Sequence, residues 1–137
     1  MDLHDGVVTT EFIPRPEHIG FEGIIHGGIL ATVLDEAMVW AATWGGRRFC
    51  VCGELNVRYR QSVSAGLPLR VEAKIQAMRS RLIEVTGRIV DANGAVYTTA
   101  TGKYVPVPPE QNAQFVATLV HDPAVESALK VLQETVP

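Results

Sequence analysis

The hydrophobic pattern of the chain moves between two periods. Leu69, Val71, Ala73, Ile75 and Ala77 alternate with Arg70, Glu72, Lys74 and Gln76, so the segment LRVEAKIQAM reads as a strand with one dry face and one wet face. Three further stretches are rich in the same β-forming residues: FCVCGELNVRYR before it, and RLIEVTGRIV and AVYTTATGKYVPV after it. GVVTTEFI, from Gly6 to Ile13, reads as a first strand closed by Pro14. Ala65-Gly66-Leu67-Pro68 breaks one connection, and Asp91-Ala92-Asn93-Gly94 marks a hairpin in which Asn and Gly tolerate positive φ. Connections this short leave no room for crossover helices, so the sheet is expected to be antiparallel. PRPEHIGFEG, beyond the first strand, reads as loop.

The period lengthens from about Gly27 to Thr43, where Ala, Leu, Met and Glu favour helix and neither proline nor glycine interrupts beyond the first turn. Such a helix is about 25 Å long at 1.5 Å per residue. With Leu30 at the centre of one face, Val33, Leu34, Ala37 and Ala41 fall beside it. The other side is hardly polar: Val39, Ile29 and Trp40 lie there or on a flank, and only Thr32, Asp35 and Glu36 interrupt them. A helix apolar almost all round is a buried helix, and the antiparallel sheet is the element able to wrap it. The fold expected is α+β. After the prolines of PVPPEQNAQ, Asp122 and Pro123 read as an N-cap and first helical position, with Val125, Leu129 and Leu132 at helical spacing in a short C-terminal helix.

A chain of 137 residues is the size of one domain, here with a core of about residues 6–105 and a C-terminal extension over 106–137. Hydrophobic residues make up 47%, charged residues 20%, and the net charge is −3, which disfavours nucleic acid as a partner. No apolar run reaches the roughly 20 residues of a membrane span, and the first residues, MDLHDGVVTTEF, lack a signal-peptide pattern. The expected location is the cytoplasm, with no membrane contact. Cys50 and Cys52 share a strand face two residues apart, a geometry unsuited to an ordinary disulfide, and are expected as reduced thiols. His4, His18, His26 and His121 stand at no ligand spacing from one another, so no metal is expected.

Two carboxylates in an apolar helix need an explanation. A buried, ionised carboxylate without partners is disfavoured by several kcal/mol, so Asp35 and Glu36 must be paired, hydrogen-bonded or opened to a cleft. Either they cap a neighbouring loop or contact a partner subunit, or one of them does chemistry. Gly27 and Gly28 supply a second component. In the first turn their N–H groups lack intrahelical acceptors, the helix dipole is positive, and a missing side chain lets a carbonyl approach the backbone; alternatively they merely make the turn. Gly27 and Asp35 are eight residues apart, about 12 Å along one helix, too far to share a carbonyl. Two antiparallel copies of the helix bring Asp35 of one subunit beside Gly27 of the other.

The residues HGGILATVLDEA, with GELNVRYRQSV after the helix, resemble the acyl-CoA thioesterases of the hotdog fold, in the phenylacetate-degradation-type (PaaI-like) branch. The resemblance covers most of Gly6 to Val105. It implies five or six antiparallel strands wrapped round the long helix, a homodimer and often a homotetramer built as a dimer of dimers, and hydrolysis of an acyl-CoA to free acid and CoA. No cofactor is implied, since coenzyme A enters as part of the substrate. By resemblance, the N–H of Gly27 polarises the thioester carbonyl, and Asp35 of the opposite subunit is general base or nucleophile. His26 takes a positioning role and Gly28 completes the motif. Glu36, Cys52, Asn56, Arg58 and Arg60 are candidate substrate contacts; Cys52 stands near where relatives carry a water-orienting Ser or Thr. Arg47, Arg48, Arg58 and Arg60 either meet the phosphates of CoA or are solvated charges of the sheet. Met38, Trp40 and Trp44 either line an acyl tunnel or fill the core. The rival readings are a hydratase on the same fold, which needs a catalytic histidine paired with an acid, and a non-catalytic acyl-CoA binding or regulatory module.

Overall fold

A computed structural model describes residues 2–21 and 23–118 of the chain. The expected helix C-terminal to Asp122 lies outside the described residues. Strands β1 (Asp2–His4), β2 (Val7–Phe12), β5 (Cys50–Tyr59), β6 (Leu69–Met78), β7 (Ile83–Asp91) and β8 (Val96–Pro106) form one antiparallel sheet in the order β1-β2-β6-β7-β8-β5. Two short strands, β3 (Ile19–Phe21) and β4 (Ile24–Ile25), pair with each other inside the segment read as loop. Helix α1 (Gly27–Gly46) lies across the sheet against β2, β5, β6, β7 and β8. A second helix, α2 (Pro109–Thr118), comes after the sheet.

The four long strands fall within two residues of the segments their patterns predict. β6 buries Leu69, Val71 and Ala73 and turns Arg70 and Lys74 to solvent, as alternation demands. At the β7–β8 turn Asp91 Oδ1 accepts the N–H groups of Asn93 and Ala95, both at 2.9 Å, while Gly94 adopts φ 84°. β1 was not expected. It joins β2 through Asp5 and Gly6, at φ 51° and 78°, the two positive values that a twist-matched two-residue hairpin needs.

α1 runs three residues beyond the expected Thr43. Gly45 and Gly46 permit this: an added Cβ would stand 2.1 Å from Ile75 Cδ1 at the first and 2.6 Å from Ile83 Cδ1 at the second. The last turn therefore lies directly on β6 and β7 before Arg47 closes it in the left-handed conformation. Leu30, Leu34, Ala37, Met38, Ala41 and Ala42 form the core with Val71, Val85, Ile89 and Tyr104. Each large apolar side chain so buried contributes about 1.5–3 kcal/mol. Within the single chain the wrapping is one-sided. Ile29, Val33 and Trp40 remain half-buried, with Glu36 exposed among them, along the side of α1 turned from the sheet. No helix among the described residues is long and apolar enough to cross a membrane.

Candidate active site

The start of α1 is held by two side chains from either side. His26 is the N-cap, with φ −58° and ψ 131°, and its Nδ1 accepts the Gly28 N–H at 2.9 Å. From β5, Tyr59 donates its hydroxyl to the Gly27 carbonyl at 2.8 Å. Both ends of the Gly27–Gly28 peptide are thus occupied, whereas the Gly27 N–H has no acceptor among the described residues. It belongs to the first turn, where the dipole is positive. A cleft of about 280 Å³ opens there, bounded by Ile25, Gly27, Leu30, Tyr59, Arg60 and Ser62. Both glycines are sterically apt: a Cβ would lie 3.1 Å from Tyr59 Cζ at Gly27 and 3.1 Å from His26 Nδ1 at Gly28.

Asp35 is half-buried two turns further along α1. Tyr104, fully buried on β8, donates its hydroxyl to Asp35 Oδ1 at 2.8 Å. Cys52, opposite Tyr104 in the β5–β8 register, interacts with both. Burial first, and then the Asp35 carboxylate, push the Cys52 thiol up. Burial dominates again at Tyr104, followed by its hydrogen bond to Asp35, and the phenol rises far above its usual range. Cys50, desolvated beside Thr43, is pushed up to about 11. Both thiols are accordingly protonated at neutral pH, and neither is a ready thiolate nucleophile. They face α1 from the same side of β5 and are free, as expected.

The other candidates separate into two groups. Glu36 is exposed on the side of α1 away from the sheet. Leu55, Val57 and Tyr59 turn toward the core and α1, so Asn56 and Arg58 occupy the far face of the sheet, where Asn56 donates to Glu54 at 3.4 Å. Arg60 borders both the Gly27 cleft and a groove of about 380 Å³ that also carries Asn56 and Arg58. Arg48 donates to the Val107 carbonyl at 3.0 Å, a link to the segment before α2. Met38 is wholly buried, and Trp44, 5.5 Å from the half-exposed Trp40 between ring centres, is nearly so. Among the described residues no three His, Cys, Asp or Glu side chains group as metal ligands. Tyr59 and Tyr104 escaped the sequence reading. Their only signal was a tyrosine at the inward-facing position of a strand, where a hydroxyl must find a partner.

A model of the thioesterase superfamily matches residues 22–98, more than half of the chain. The chain belongs to the thioesterase superfamily. Its α1-on-sheet architecture is the hotdog fold of that superfamily. A crystal structure of a thioesterase superfamily protein is 30% identical, with TM-score 0.71, over 77% of this chain but 54% of its own length. The chain thus spans about half of that relative. The PaaI protein of the Escherichia coli phenylacetic acid degradation operon is similar at 17% identity and TM-score 0.73, over 79% of this chain and 78% of that one. A Staphylococcus aureus acyl-CoA hydrolase, solved with butyryl coenzyme A, coenzyme A and coenzyme A disulfide, is similar at 17% identity and TM-score 0.73, over 77% and 66%. At such identities these last two likenesses carry the fold alone. No protein among those of curated function matches the chain. For a member of the superfamily, the informative local facts are the open N–H of Gly27 and the anchored carboxylate of Asp35.

Proposed function

We propose that the protein is an acyl-CoA thioesterase of the PaaI-like branch, with each active site shared between two subunits. The observation that carries the reading is the start of α1, where Gly27, whose N–H has no acceptor among the described residues, lines a cleft while the next peptide is held at both ends. The thioester carbonyl accepts from Gly27 N–H. Asp35 of the other subunit takes a proton from water, and the resulting hydroxide attacks the carbonyl carbon. The oxyanion is stabilised at Gly27, a contribution of roughly 10² to 10³ in rate. General base catalysis by the carboxylate adds roughly 10² to 10⁴. Collapse breaks the carbon–sulfur bond, and the departing CoA sulfur recovers the proton from Asp35. The reaction uses no cofactor.

The half-buried strip of Ile29, Val33 and Trp40 and the outer edge of β5, with Val51 and Tyr59 each 51% exposed, support pairing of two copies; dimers then pair as a homotetramer. The free thiols suit a reducing compartment, and the cytoplasm is the location we favour. His26 argues against a hydratase. With Nδ1 accepting from Gly28, the neutral ring carries its proton on Nε2 and has no lone pair left to abstract one.

The test is thiol release from a panel of aryl and fatty acyl-CoA esters by wild type and Asp35→Asn, with oligomeric state recorded for both. Turnover that collapses in the variant with the assembly intact supports both the reaction and the residue. Binding of CoA esters without turnover on any of them would replace the proposal with the non-catalytic module.

A further inference from the structure

Tyr104 is wholly removed from solvent (0% exposed), and its hydroxyl is the one side-chain polar atom that has to be satisfied there. It donates to Asp35 Oδ1 at 2.8 Å, with the Cys52 thiol beside both groups. The ring fits under α1 because residue 102 has no side chain. A Cβ at Gly102 would stand 2.7 Å from Tyr104 Cε2 and 3.0 Å from Met38 Cε. Burial, reinforced by the hydrogen bond, pushes the phenol far above its usual range, so it is a donor at neutral pH. One oxygen of Asp35 is therefore tethered to β8, and the carboxylate, with about four acceptor sites on its two oxygens, has room for a water beside the Cys52 thiol.

We infer that Tyr104 is a positioning residue for thioester hydrolysis, holding Asp35 Oδ1 so that Oδ2 is presented to the attacking water. The inference rests on Asp35 being the base. Geometry and basicity act in opposite directions here. A donor on one oxygen withdraws charge from the other, so if placement did not matter, removing the phenol would leave turnover unchanged or raise it. If placement dominates, turnover falls, because misplacement by about 1 Å costs up to 10²-fold.

Tyr104→Phe keeps the ring and deletes only the oxygen. We expect kcat to fall about 10- to 100-fold, with KM within about twofold because the phenol does not touch substrate. In the Asp35→Asn background the same change should alter the residual rate by less than about twofold, since no base remains to be placed. A lower melting temperature with unchanged kcat would make Tyr104 a core residue only and overturn the inference. An equal drop in both backgrounds would also overturn it, since the phenol would not be acting through Asp35. Full turnover by Asp35→Asn, or none by wild type, would remove the base itself and the inference with it. Loss in Asp35→Asn with full turnover in Tyr104→Phe would leave the reaction standing and refute only the positioning role.

Discussion

Tyr59 is 51% exposed, and its hydrogen bond to the Gly27 carbonyl is open to competition from water, so its net contribution to folding is at the low end, about 0.5–1 kcal/mol. In the proposed mechanism its consequence is larger. With His26 on the N–H side and Tyr59 on the carbonyl side, the Gly27–Gly28 peptide is held at both ends, which favours one orientation of the neighbouring Gly27 N–H. Tyr59→Phe is expected to lower kcat several-fold to about tenfold with a melting temperature close to wild type, checked by steady-state kinetics beside a thermal scan. His26→Ala removes the cap and is expected to cost about 1 kcal/mol, readable by denaturant unfolding. The motif His26-Gly27-Gly28 and Asp35 were legible because a polar break in an apolar helix is visible locally. Tyr59 and Tyr104 were not, since their partners lie 32 and 69 residues away in sequence and only the strand register joins them.

Elements whose pattern repeats were the readable ones: β6 through its five-residue alternation, α1 through its apolar faces. The pieces missed depend on single residues. Asp5-Gly6 was a hairpin signal, but the strand it introduces, Asp2–His4, is exposed throughout and has no hydrophobic period. α2 begins at Pro109 with Glu110 in its first turn, and the prolines read as an end of the sheet also open a helix. Asn112, 2% exposed, fastens this helix by accepting the Phe49 N–H at 2.8 Å. Asn112→Ala leaves that donor without its acceptor and is expected to destabilise by about 1–3 kcal/mol, measured by chemical denaturation. The β7–β8 hairpin carries a pH dependence. Hydrogen bonds from Ala95 foremost, then from Asn93 and Tyr97, hold the Asp91 carboxyl below its ordinary value. Its folded value lies below its unfolded one, so the stability it lends is present above the ordinary carboxylate range and is lost as pH falls through the folded value. The melting temperature of wild type should exceed that of Asp91→Asn at neutral pH, and the two should converge as pH falls through and below the ordinary carboxylate range.

At the scale of the whole molecule, the decisive question is whether one chain is a complete catalyst. α1 is continuous from Gly27 to Gly46, so Gly27 and Asp35 stay about 12 Å apart along one axis and a single copy cannot present both to one carbonyl. A substitution that removes the Gly27 N–H makes this testable. Proline is suited to position 27: it is the first helical residue, its N–H has no acceptor among the described residues, and His26 at ψ 131° already has the extended conformation that a residue before proline adopts. The added ring meets Tyr59, whose Cζ would be 3.1 Å from a Cβ there, and that exposed side chain can give way. Gly27→Pro should therefore remain folded while kcat falls about 10² to 10³-fold. Mixed dimers of Gly27→Pro and Asp35→Asn chains, purified through two different tags, then discriminate between the arrangements. If each site takes its N–H from one subunit and its carboxylate from the other, one site carries both lesions and its twin carries neither, so the mixed dimer should show about half the wild-type turnover although both parent variants are nearly inactive. If each chain were complete in itself, every site in the mixed dimer would hold one lesion, and turnover would stay at the level of the parents.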